Sequence, residues 1–87
     1  MSQQTSPSPR AINEIAREIR STWKNVYFGA VPYLDAMFSL EKITDKYIDD
    51  SGVSVVLYFL SNATTWRGED ARRIKAELNA ILKQARR

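Results

Sequence analysis

The chain has no cysteine and no histidine. Without cysteine there is no disulfide framework, no thiol redox chemistry and no thiolate set for structural zinc. Without histidine the commonest transition-metal ligand and general base are gone, and the Ser–His–Asp and Cys–His mechanisms cannot be built. Glycine is scarce too: three residues, none in a phosphate-cradling arrangement. Long apolar runs are missing. The longest, Val55-Val56-Leu57-Tyr58-Phe59-Leu60, is far too short to span a bilayer. Residues 1–9 are polar and lack the basic start and apolar stretch of a secretory signal, so no membrane association is expected and a cytoplasmic location is. No helix-turn-helix, RNA-binding or zinc-finger pattern is present.

What is there is an ordinary globular composition, with 44% hydrophobic and 26% charged residues in 87. A chain of this length buries roughly 60–65% of its unfolded surface, enough for one modest core. Residues 1–8, rich in Ser, Gln and Pro, are expected to form a disordered tail, and residues 9–87 a single helical domain.

The expected fold class is all-α, a compact bundle of about four short helices. Helix 1 is placed from Pro9 to Trp23, capped by Ser8, because Ile12, Ile15, Ala16, Ile19 and Trp23 recur at helical spacing. Asn25 to Gly29 read as a connector, with Tyr27 and Phe28 packed beneath it. Helix 2 is expected over Val31–Leu40, with Pro32 in its first turn. Thr44 or Asp45 would cap a short turn through Ile48. The β-branched run from Val53 to Leu60 is ambiguous between helix and strand. No partner strand is visible, so it reads as a buried helix over Ser51–Ala63, with Asp49 and Asp50 near its positive end. The last helix follows Thr64–Gly68. Its stripe is Ala71, Ile74, Leu78, Ile81, Leu82 and Ala85. Glu69 and Asp70 at its start and Lys83, Arg86 and Arg87 at its end match the helix dipole. Glu69 and Arg73 are spaced for an i,i+4 pair.

Charge is unevenly divided. Residues 1–30 carry four basic and two acidic side chains, residues 31–60 two and five, residues 61–87 seven and three. Arg10, Arg17 and Lys24 fall on one line of helix 1. Arg72, Arg73, Lys83 and Arg87 share the outer face of the last helix with Ala76 and Ala80. If the two helices lie side by side, these seven cations merge into a surface for nucleic acid or another acidic partner. The plainer reading is a set of solvated faces, which a net charge of +3 favours. Ala76 and Ala80 would admit a close helix–helix contact, although alanine on a surface needs no reason beyond its helix propensity.

Asp45, Asp49, Asp50 and Ser51 before Gly52 invite a calcium-loop reading. It fails, because aligning Gly52 with the loop glycine puts Tyr47 at the first ligand and Tyr58 where the bidentate glutamate belongs. Helix capping is the better use for these acids. Trp23 and Trp66 read as boundary residues covering the core edge, with base stacking as the functional alternative. No catalytic, metal-ligating or cofactor-binding residue is assigned, and no cofactor is expected.

The stretch from Lys24 to Met37 (Lys-Asn-Val-Tyr-Phe-Gly-Ala-Val-Pro-Tyr-Leu-Asp-Ala-Met) and that from Asp50 to Glu69, with its Tyr-Phe-Leu…Trp-Arg-Gly segment, resemble small uncharacterised bacteriophage proteins of Gram-positive hosts, the mycobacteriophage-type accessory proteins. The resemblance covers about Ile12 to Leu82. It implies a setting inside an infected bacterial cell and brings no chemistry that could be carried over. Three readings follow. The first is a non-enzymatic protein-interaction module acting on a host or phage protein. The second is sequence-nonspecific nucleic-acid binding through the basic faces. The third is a virion or assembly component that self-associates. An enzyme comes last.

Overall fold

The computed structural model describes residues 10–85. It contains α1 (Ile12–Thr22), a 3-10 turn (Phe28–Ala30) running into α2 (Val31–Met37), a two-stranded hairpin of β1 (Lys46–Tyr47) and β2 (Asp50–Ser51), α3 (Gly52–Ser61) and α4 (Glu69–Ala85). The fold is helical as expected. α1 packs on α2 and α4, and α3 packs on the same two, so the four helices close a ring around one core. That core takes Ile12, Ile15 and Ile19 from α1, Leu34 and Met37 from α2, Val56 and Phe59 from α3, and Ile74 and Leu78 from α4. Each such side chain contributes about 1.5–3 kcal/mol by leaving water.

The ends of the elements are set by partners distant in sequence. The expected cap at Ser8 and first turn at Pro9 lie outside the described residues, but Arg10 and Ala11 are not helical and α1 starts at Ile12. Its first free N–H groups find acceptors in the chain after α2: Ile12 donates to the Glu41 carbonyl and Asn13 to that of Leu40, both at 2.9 Å. Glu14 turns back to accept from the Ala11 N–H at 3.1 Å, half of a capping box whose other half alanine cannot supply. α2 stops at Met37 rather than Leu40. Phe38, Ser39 and Leu40 donate three residues back, which tightens the last turn and still buries Leu40.

The expected turn through Ile48 is instead the hairpin, with Lys46 opposite Ser51 and Tyr47 opposite Asp50. Asp45 does cap, but not a helix: its carboxylate accepts from the Glu41 and Lys42 N–H groups at 3.1 and 2.9 Å. These bonds hold it below the usual carboxylate range. α3 is a helix, as the missing strand partner argued. Its N-cap is Ser51, whose hydroxyl accepts from the Ser54 N–H at 3.1 Å. It is not buried all round, since Leu57 and Tyr58 face solvent. In α4 the stripe holds from Ala71 to Leu82, while Ala85 is exposed.

Candidate functional site

Of the first basic line only Arg17 lies on α1, since Arg10 precedes that helix and Lys24 follows its end. α1 does pack on α4, but the seam between them is not basic. Arg10 forks onto Glu77, Nε and Nη2 donating to its two carboxylate oxygens at 2.9 and 2.7 Å. Its other nitrogen reaches Glu18 at 2.9 Å. Arg73 donates to Glu18 at 2.6 Å and to Asp70 at 3.1 Å, not to the i,i+4 partner Glu69. The guanidinium of Arg73, then that of Arg10, pulls the Glu18 carboxyl below its usual range, and the bonds to Glu77 lead the causes that raise Arg10. This alternating network ties α1 to α4 and consumes two cations of the proposed patch. Arg17, Lys24, Arg72 and Lys83 remain exposed and, among the described residues, form no salt bridge. Arg87 lies outside the described residues. Ala76 and Ala80 are exposed on α4.

The two indoles meet. Trp23, just past the end of α1, and Trp66, in the α3–α4 connector, stack with centroids 5.3 Å apart and planes 10° from parallel. Phe59 packs in a T-shaped arrangement against both, at 6.2 and 6.5 Å. The two indoles are 6% and 4% exposed, so they serve the core and offer no free face for a base. Lys75 donates to the Trp66 carbonyl at 2.7 Å. Its ammonium is held below the usual lysine value by burial first and by the charge of Arg67 second. Beside the stack is an open cleft of about 430 Å³ lined by Thr22, Lys24, Asn25, Thr65 and Arg67 with the indole edges. Among the described residues no carboxylate lines it.

The surface that stands out is aromatic. Tyr27 and Phe28 do not pack under their connector. They are 42% and 80% exposed and lean on each other at 4.8 Å. Tyr58 of α3, 54% exposed, lies 5.5 Å from Tyr33 of α2. Gly29 joins the two pairs. A Cβ there would stand 2.5 Å from the Tyr27 ring and 2.8 Å from Asn62 Oδ1, so a larger residue would push these two side chains aside. The Asn62 amide in turn donates to the Tyr58 carbonyl at 2.9 Å. The Tyr27–Phe28 pair thus meets the end of α3 at Asn62, four residues beyond Tyr58, and Leu57 beside Tyr58 is also partly exposed.

The candidate residues read from sequence did not include this face. Its signal was the absence of any charge in Gly52–Ser61. A helix apolar on every side belongs in the interior of a larger protein, and a bundle this small cannot enclose one.

No protein-family model, curated protein or solved structure matches the chain. Among the described residues no helix is long and apolar enough to cross a membrane, and no group of three or more carboxylates is placed to hold a metal ion.

Proposed function

We propose that this chain is a non-enzymatic protein-interaction module whose docking face is the aromatic surface of Tyr27, Phe28, Tyr33, Leu57 and Tyr58. The observation that carries the reading is the exposure of Phe28 and Tyr58. Monomeric proteins seldom leave contiguous apolar surface of this kind without a use for it, and tyrosine and phenylalanine are residues from which binding hot spots are made. Its setting, following the resemblance, is the cytoplasm of a phage-infected bacterial cell, with a host or phage protein as partner.

Nucleic-acid binding through the basic faces is the weaker reading, because Arg10 and Arg73 are already satisfied by carboxylates. Two assays run in parallel separate them. Wild-type protein immobilised on a support is expected to retain a partner from bacterial lysate that Phe28→Asp loses and Arg72→Ala keeps. Labelled single- and double-stranded DNA is expected to give no anisotropy change at low salt. Salt-sensitive DNA binding that weakens with Arg72→Ala, and capture indifferent to Phe28, would reverse the assignment.

A further inference from the structure

At the other end of α3 the chain shows a feature of opposite kind. The hairpin tip lifts Ile48 into solvent at 80% exposure, as open as Phe28. Among the described residues Ile48 is the one non-glycine with a positive φ, at 57°. Two-residue hairpin turns take glycine or asparagine in that conformation, and a β-branched residue there is strained. Strain of this sort survives where the side chain is wanted in that place. Directly after this apolar knob come Asp49 and Asp50, both exposed. The tip is therefore an aliphatic side chain followed by two carboxylates.

The aromatic face is its complement. Tyr27, Phe28 and Tyr58 supply an apolar seat, and three residues before Tyr27 stands Lys24, which with Arg67 lines the cleft beside the indoles, where no carboxylate is found among the described residues and Lys75 lies near Arg67. Tip and seat stand at the two ends of α3, whose ten residues span about 15 Å. The tip of one molecule therefore cannot fill its own seat.

We propose that the occupant of the aromatic face is the hairpin tip of a second copy of this chain. Ile48 seats among Tyr27, Phe28 and Tyr58, and Asp49 and Asp50 meet Lys24 and Arg67. This rests on the docking-face reading, and self-association then competes with a host or phage protein for the same face. Such a contact is head-to-tail: every open assembly keeps one free tip at one end and one free seat at the other, so association does not stop at a dimer unless a ring closes. The knob is small beside a standard interface of about 800 Å² per partner, and assembly is correspondingly weak and concentration-driven.

Sedimentation of the full chain across the micromolar to millimolar range tests this. The weight-average mass of the wild type is expected to climb past the dimer and to fall with added salt. Ile48→Gly, which removes the knob and the strain together, is expected to be monomeric and no less heat-stable than wild type. Phe28→Asp is expected to be monomeric with an unchanged circular-dichroism spectrum. Mixed in equal amounts, the two variants retain one good tip and one good seat and should form a dimer and nothing larger. A wild type monomeric throughout the range, Ile48→Gly that assembles as wild type does, or a mixture that stays monomeric would each overturn the inference. A closed two-fold dimer abolished by Phe28→Asp alone would overturn the head-to-tail arrangement and leave the docking face standing. If Phe28→Asp altered neither assembly nor lysate capture, both readings would fall.

Discussion

Replacing Gly52 with alanine is expected to destabilise the fold, against the usual preference of helices for alanine. Gly52 is the first residue of α3, buried under the segment that leads into the hairpin. A Cβ there would stand 2.5 Å from the Ile43 carbonyl oxygen, 3.0 Å from its carbon and 3.1 Å from the Asp45 oxygen. A carbon–oxygen contact rests at about 3.3 Å or more, so the obstruction must retreat by roughly 0.8 Å. It is backbone and has no rotamer to change. It is also tethered, since the Gly52 N–H donates to the Asp45 carbonyl at 2.7 Å. Overpacking of this kind costs about 1–3 kcal/mol, and loosening the tether adds about 0.5–1.5 kcal/mol. Helix propensity returns at most about 1 kcal/mol. The net is a loss of about 0.5–3.5 kcal/mol. In a domain of this size that lowers the melting temperature by roughly 4–8 °C for each kcal/mol. Thermal and urea unfolding followed by circular dichroism and by tryptophan fluorescence measure it. A variant as stable as wild type, or more so, would show that the 43–45 segment yields freely and would refute the packing argument.

Glu18→Gln removes the carboxylate shared by Arg10 and Arg73. The folded-state pKa of Glu18 is lowered, so its contribution is present above the ordinary carboxylate range and lost as pH falls through the lowered value. The variant should unfold at slightly lower urea at neutral pH, by up to about 1 kcal/mol because the partners are largely solvated, and show a shallower loss of stability in acid. An unchanged acid limb would count against the network. Trp66→Ala should cost about 3–5 kcal/mol, read from the urea midpoint, since it empties a site between Trp23 and Phe59 and takes away the acceptor's own side chain beneath Lys75. A loss below about 1 kcal/mol would mean that the ring cluster is not part of the cooperative core.

Much of the frame was legible in order along the chain. The stripe of Ile12, Ile15, Ala16 and Ile19 and that of Ala71, Ile74, Leu78, Ile81 and Leu82 identify α1 and α4, because a 3.6-residue period is a local property that needs no partner to be read. α3 was reached by elimination, since a strand with nothing to pair with is not a solution. Ser51 then serves as its cap, a role the sequence reading had offered to the aspartates.

What tertiary structure decided is where each local tendency met a distant one. α1 begins at Ile12 because the carbonyls of Leu40 and Glu41 arrive there to take its free N–H groups. The hairpin has strands of two residues, too short to carry a period, and exists because α3 must be reached from the Asp45 turn. Arg73 finds Asp70 by i,i+3 spacing along α4 and Glu18 only because α4 packs on α1, and that second bond neutralises the seam between the two helices. The same closure determined which aromatics were enclosed. Trp23, Phe59 and Trp66 fell inside the ring of helices, while Tyr27, Phe28 and Tyr58 fell outside it. Hydrophobicity along a chain says that a side chain gains by leaving water. Only the assembled surface says which of them the domain was too small to cover.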